Sequence, residues 1–427
     1  MLSPEENALL TRTGPGTPMG RLLRRYWVPA LLAPEVAEPD CAPVRVKLLG
    51  EELVAFRDSS GRIGLVQERC AHRCASLYFG QNRENGLRCA YHGWKYDVEG
   101  RCVDQPSEPP ETSFAHKVRL RAYPCRERGG VVWAYLGPAD QMPELPELEW
   151  ATVPASHSYV SKRLQECNYL QAMEGGIDSS HISWLHGDPG PNRTAAATGQ
   201  GADYARADRH PVFEVVDTDY GLLIGARRNA DEDHYYWRIT QWLMPWYTMI
   251  PPFGDRPIGG HAWVPADDET CWAWSVSWHP ARKLTAEEVD NYRAGGVFYA
   301  ELLPGTWTPK RNARNDYLID REAQRSGRSL SGIDGIAAQD TALQESQGPI
   351  MDRSQEYLGS SDTAIIRARR TLLQAVRGLE RGADPPGLVA ASQRVRSVSI
   401  VLPRDVPFQD GAREALVADP ERFTAAV

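Results

Sequence analysis

Two clusters of residues in this chain have the types and spacing that metal chemistry needs. In the first, Cys70-x-His72 is followed after sixteen residues by Cys89-x-x-His92. Two loops would each supply one thiolate and one imidazole, with the cysteine first in both. A [2Fe–2S] cluster held by two thiolates on one iron and two imidazoles on the other has a potential of roughly −150 to +300 mV, against about −400 mV for plant-type ferredoxins. Zinc accepts the same ligand types, but zinc-finger spacing puts Cys beside Cys and His beside His. In the second cluster, Asp178 stands three residues before His181, and His186 follows five residues later. Two histidines and one carboxylate on one face of ferrous iron leave positions open for dioxygen and substrate.

Five residues of straight helix would turn His186 away from His181 by roughly 140°, so the helix must break or end between them. Asp178 is expected on the same helical face as His181. There it can accept the imidazole N–H that a metal leaves free. The third ligand must be an acid from elsewhere, and Asp320, Asp334, Asp340, Glu345 and Asp352 are the candidates. Asp340 is preferred, because it opens a helical run and follows a flexible Gly-rich segment.

The elements that must position these groups fall into two regions. Alternation in Val44–Leu48, and the runs Leu53–Phe56, Ile63–Val66, Val118–Tyr123 and Val131–Tyr135, predict a small antiparallel β domain carrying the cluster on two loops. Pro138 to Pro146 reads as a linker. Beyond it, Leu164–Gly176 has helical spacing interrupted at Gly175-Gly176, and Gly187–Gly201 reads as a mobile loop. Phe213–Trp278 predicts an antiparallel sheet, Asp340–Gln347 a helix, Ser361-Asp362 a cap for a helix through Val376, and Val395–Leu402 a last strand. The domains are therefore expected at 1–145 and 146–427, with residues before about 25 packing on the second.

The chain has 427 residues, 42% hydrophobic and 24% charged, which suits a globular protein of two or three domains. A net charge of −8 removes the bulk electrostatic case for nucleic-acid binding. No apolar run reaches membrane-spanning length, and the acidic start does not resemble a signal peptide. Eight cysteines are too sparse for a disulfide scaffold, so a reducing, cytoplasmic location is expected.

Cys70-Ala-His72-Arg and Cys89-Ala-Tyr-His92-Gly-Trp resemble the Rieske motif of ring-hydroxylating oxygenases. The segment from Gln339 through Asp352 resembles the phthalate dioxygenase branch of that family, in which the acid matching Asp340 is the iron ligand. The likeness runs nearly end to end. It implies an α+β chain: a Rieske domain, then a helix-grip catalytic domain of the START/Bet v 1 kind with a curved antiparallel sheet. It implies homotrimers or stacked trimers (hexamers), with His92 of one chain meeting Asp178 of the next as an electron bridge. It also places Asn168 beside the metal ligands. Cys74 stands where many relatives have a small or basic residue. It reads as a buried free thiol, as do Cys41, Cys102, Cys125, Cys167 and Cys271.

Relatives in this branch act on phthalate and other aromatic acids, some by cis-dihydroxylation and some by O-demethylation of methoxy groups. The expected substrate is thus an aromatic acid, with ring dihydroxylation ahead. Trp184, Trp242, Met244, Trp246, Ile250 and Phe253 are candidate pocket walls. Arg238, on one strand face with Trp242, or Arg206 could clamp the carboxylate, although a surface salt bridge is the commoner use of such an arginine. No flavin or nicotinamide fingerprint is present, so electrons from NAD(P)H must arrive through a separate flavin or iron–sulfur reductase. Arg69, Arg73, Arg83, Arg88, Lys95 and Arg101 could form its docking patch. A Rieske ferredoxin would need only the first 140 residues, and a metal-free helix-grip binder would not retain the full set of ligand and bridge residues.

Overall fold

The computed structural model describes residues 1–187, 200–254 and 256–419. Most of the loop expected between Gly187 and Gly201 lies outside the described residues. The chain forms two compact units, Thr13–Pro143 and Met1–Arg12 with Glu144–Val427.

The smaller unit is built from short antiparallel sheets. Strands β1 (Trp27–Leu32), β9 (Cys125–Arg128) and β10 (Val131–Tyr135) form one, in the order β1-β10-β9. Strands β2 (Val44–Leu48), β3 (Glu51–Arg57) and β4 (Ile63–Gln67) form a second. Four very short strands, β5 (Gln81–Asn82), β6 (Leu87–Arg88), β7 (Lys95–Tyr96) and β8 (Cys102–Asp104), form the third. The alternating apolar side chains of these strands close one core around Phe56, Val66, Leu77, Leu87, Trp94 and Tyr96. The predicted strand Val118–Tyr123 does not form. That stretch makes only isolated bridges, Arg101 to Arg119 and Val66 to Ala122, because it divides its hydrogen bonds between two neighbours, the 100–102 segment and β4.

The larger unit is an eight-stranded antiparallel sheet: β11 (Ser158–Gln165), β12 (Val212–Asp217), β13 (Gly221–Asn229), β14 (His234–Leu243), β15 (Tyr247–Ile250), β16 (Ile258–Pro265), β17 (Cys271–Trp278) and β18 (Val398–Pro403). Its order is β11-β17-β16-β15-β14-β13-β12, with β18 pairing along the first half of β14. The helical spacing read from Leu164 onward conceals the end of β11, since the helix begins only at Tyr169.

Asn168 caps that helix, accepting from Leu170 N, and the helix runs to Ile177. Gly175-Gly176 do not interrupt it. A Cβ on Gly176 would lie 2.1 Å from the Trp263 ring, and one on Gly175 would lie 2.2 Å from the Gln344 side chain. The two glycines let the helix lie directly on β16 and on a second helix, Ile336–Glu345. Asp340 sits in the middle of that second helix rather than opening it. The amphipathic helix Thr363–Glu380 buries Leu372, Leu373 and Val376. It also turns Arg369 inward to Glu174 and Glu356.

Candidate metal centres and their cavity

In the smaller unit, two loops repeat one turn. Cys74 N donates to Cys70 O at 2.9 Å, and Gly93 N donates to Cys89 O at 3.0 Å. Each turn closes on a left-handed residue, Cys74 at φ 58° and Gly93 at φ 77°. Glycine reaches that conformation without strain, and a cysteine does so at a cost. Cys74 is exposed, contrary to the buried thiol expected, because the turn directs it outward; Cys41 and Cys125 are half-buried, and Cys102, Cys167 and Cys271 are buried.

These turns bring the four predicted ligands together. Cys70 and Cys89 lie within the core. The rings of His72 and His92 stand 4.4 Å apart, and Trp94 stacks on His72 at 4.6 Å. Burial, more than any other influence, pushes the Cys70 thiol up, so a neutral thiol is favoured there until a cation takes its proton's place. Nδ1 of His72 is buried without a hydrogen-bond partner. A buried polar atom without a partner is costly. Two buried sulfurs and an orphaned imidazole nitrogen therefore fit an iron–sulfur cluster.

The larger unit holds the second centre. The helix Tyr169–Ile177 ends before His181, and a 3₁₀ turn spans His181–Ser183. Asp178 is the C-cap and does not share a helical face with His181. Its carboxylate instead folds over the following turn, where Oδ1 accepts from Ser180 N at 2.6 Å and Oδ2 lies 3.2 Å from His181 Nδ1. His186 Nδ1 lies 2.7 Å from Gln339 Oε1, and the Gln339 amide is oriented by donating to Ile333 O at 2.9 Å. Both histidines thus present Nδ1–H outward, leaving both Nε2 atoms as lone pairs. Those atoms are 3.2 Å apart, and Asp340 Oδ1 lies 3.6 Å from one and 3.1 Å from the other. With a proton on Nε2 of the imidazoles, His186 and His181 would offset the burial that opposes the Asp340 charge and hold its carboxyl down to about 2; with neutral imidazoles that support is lost. Three acceptors converging without a donor between them repel one another unless a cation sits among them, so His181, His186 and Asp340 fit a divalent metal.

The other acids considered lie apart from this group. Asp320 caps the helix Arg321–Arg325. Asp334 meets Arg311. Glu345 accepts from Glu166 N and Tyr317, and Asp352 caps its own turn. Asn168 is also elsewhere, its amide nitrogen donating to Thr11 O and Asp268 O. Gln339, adjacent to Asp340 in sequence, is the neutral neighbour of the candidate metal ligands that sequence reasoning missed.

The three converging groups open onto a cavity of about 1430 Å³. Ile250, Phe253, Trp263 and Phe298 supply apolar wall. Trp184, Trp242, Trp246 and Met244 do not line it. Trp184 is 49% exposed beside Arg209, Trp242 packs under the helix against Met173, and Trp246 and Met244 are buried in the core. Trp263 was not anticipated, although its spacing along β16 marks it as inward-facing. Arg206 lies at the cavity but is exposed and paired with Asp203. Arg238 is different. It is 4% exposed, lies over Phe253 at 4.2 Å, and has Nε and Nη1 buried without partners among the described residues.

Residues 26–124 match the Rieske [2Fe–2S] domain model, and residues 134–419 match the LigXa C-terminal domain-like model. The 3-chlorobenzoate-3,4-dioxygenase oxygenase subunit of Comamonas testosteroni is 40% identical over 96% of this chain and 97% of its own length. The phthalate 4,5-dioxygenase oxygenase subunit of Pseudomonas putida is 39% identical over 96% and 94%. The 5,5'-dehydrodivanillate O-demethylase oxygenase subunit of Sphingobium sp. (strain NBRC 103272 / SYK-6) is 33% identical over 98% and 90%.

Proposed function

This chain belongs to the Rieske oxygenases, as an oxygenase subunit, and from that membership we propose that it hydroxylates an aromatic carboxylic acid, with cis-dihydroxylation of a phthalate-like ring as the leading reaction. Oxygenase subunits of this family use a [2Fe–2S] cluster, a mononuclear iron, dioxygen and electrons from a separate reductase. In our reading Cys70, His72, Cys89 and His92 hold the cluster, and His181, His186 and Asp340 hold the iron. When bound, these groups supply single-electron transfer and dioxygen activation.

The chain's own side chains do the rest. Asp178 and Gln339 fix the tautomers of His181 and His186 through Nδ1. Phe253, Trp263 and Phe298 flank an aromatic ring and keep water from it. Arg238 receives the substrate carboxylate. A second copy completes the electron path: in a trimer or a pair of stacked trimers, His92 of one copy meets Asp178 of the next.

The observation that carries this reading is Arg238, a buried guanidinium with two unpartnered nitrogens in the same cavity as His181, His186 and Asp340. A buried cation without an anion is unfavourable, and a planar carboxylate satisfies two of its N–H groups at once. Product identification from a panel of aromatic acids, with peroxide measured alongside, tests it. Hydroxylated acid formed with little peroxide is expected. Turnover of neutral arenes in preference to acids would overturn it. O-demethylation of a methoxy-substituted acid is the second reading, favoured by a cavity larger than the roughly 300–1,000 Å³ usual for small-molecule sites.

A further inference from the structure

Three buried arginines of the larger unit have carboxylate partners. Arg353 meets Glu174, Arg369 meets Glu174 and Glu356, and Arg396 meets Glu149. Among the described residues three others meet no carboxylate, and all three belong to the cavity or its backing. Arg228 donates through Nε to Asp208 O and through Nη2 to Ser179 O and Ser183 Oγ, bracing the turn that carries His181, while its Nη1 meets no partner among the described residues. Arg238 is the carboxylate anchor proposed above. Arg163, on β11, remains without an assigned task.

Arg163 is 5% exposed and lines the same cavity. Its Nε is buried without a partner, and Nη1 reaches only Ser275 Oγ, at 3.4 Å. Among the described residues it meets no carboxylate. The acids nearest in charge are committed elsewhere: Asp340 to the two histidines, and Glu345 to Tyr317 and Glu166 N. Its polar neighbours form a small cluster on the cavity floor. Ser275 Oγ lies 3.1 Å from Nδ1 of His261, which donates to Trp274 O at 3.2 Å. Burial first, and then the Arg163 charge, hold His261 down to about 3, so it is neutral and offers no compensation. A buried guanidinium in that setting is complete only with an anion.

The position of this charge limits what it can bind. β11 and β14 are separated by β17, β16 and β15, four strand spacings or roughly 19 Å along the sheet. Arg238 is displaced further along β14, since it pairs with Ser399 of β18 while β15 pairs only with Gln241–Leu243. Guanidiniums rising from such separated strand positions favour acids whose second carboxylate is remote over acids on adjacent ring carbons.

Building on the functional reading above, we propose that Arg163 is a second anion-recognition residue, which selects aromatic acids carrying a further carboxylate remote from the one held by Arg238. No covalent step is added; the residue discriminates among substrates by charge and reach.

Calorimetric titration of the reduced holoenzyme without oxygen tests this. The probes are phthalate, terephthalate, biphenyl-4,4'-dicarboxylate and biphenyl-4-carboxylate. The wild type should bind at least one of the two distal diacids tenfold or more tightly than the monoacid. Arg163→Gln should erase that advantage and leave phthalate and the monoacid unchanged. Arg163→Lys, which keeps the charge, should retain part of it. No advantage in the wild type, or equal loss for every acid in Arg163→Gln, would overturn the inference, and the wild-type comparison stands even if a variant does not fold. Failure of every acid to bind the wild type, or full binding of all acids by Arg238→Gln, would instead overturn the functional reading.

Discussion

Gln339 places its side-chain oxygen 2.7 Å from Nδ1 of His186, from the residue immediately before Asp340. One turn of helix therefore carries both the acid of the candidate metal site and the orienting partner of one of its histidines. His181 is oriented by a charged group, Asp178, and His186 by a neutral one. Removing the acceptor by Gln339→Leu should weaken iron retention by roughly 10- to 100-fold, whereas Gln339→Glu should hold the metal. Iron content after timed exposure to a chelator measures this, and equal retention in both variants would count against the role.

Asp178→Asn should keep both metals, because the amide oxygen can still accept from His181, but coupled turnover should be lost. Mixed assemblies of a cluster-dead chain (Cys89→Ser) and an iron-dead chain (His181→Ala) should regain part of the activity. Complete inactivity of every mixture would place the electron path within a single chain.

Arg238→Gln should raise KM for the aromatic acid by roughly 10- to 150-fold, the value of one charge-assisted hydrogen bond of about 1.5–3 kcal/mol, while changing kcat less. An unchanged KM would remove Arg238 from substrate binding.

Glu174 joins the helix Tyr169–Ile177 to Arg353 and to Arg369. Burial works against its charge, yet the two guanidiniums hold its carboxyl below the ordinary 4.5. A depressed carboxyl contributes stability in full above the unfolded value, and loses it as pH falls through the lower folded value. The melting temperature should therefore fall below about pH 4.5. Glu174→Gln, which leaves the buried Arg353 without a carboxylate and Arg369 with Glu356 alone, should cost about 3–5 kcal/mol at neutral pH and should flatten that acid limb. An identical limb in the variant would assign acid sensitivity to other groups.

Much of this site was legible because metal ligands come in few types and at constrained spacings. Cys70, His72, Cys89 and His92 declare themselves as matched pairs, and Asp178, His181 and His186 as a short string. Asp340 needed the resemblance as well, since a lone acid far along the chain carries no local signal. Positions that depend on packing were not legible. Trp242 and Arg238 share a strand face, but only the structure shows the first covered by Met173 and the second facing the cavity. Arg163 was hidden because β11 (Ser158–Gln165) carried no strand reading, and only its last two residues fell within the helical run from Leu164. Gly175-Gly176 looked like an interruption, though their role is to admit the Trp263 ring and Gln344. Asn168 has the type of a ligand neighbour, and its atoms serve as a helix cap.

The most direct test is a count of metal and acid-labile sulfide in the purified protein and in the His181→Ala variant. The expected result is about three irons and two sulfides per chain in the wild type, with about two irons and the same sulfide in the variant. Zinc in either place, or an iron count that His181→Ala leaves unchanged, would contradict the assignment of two separate iron centres.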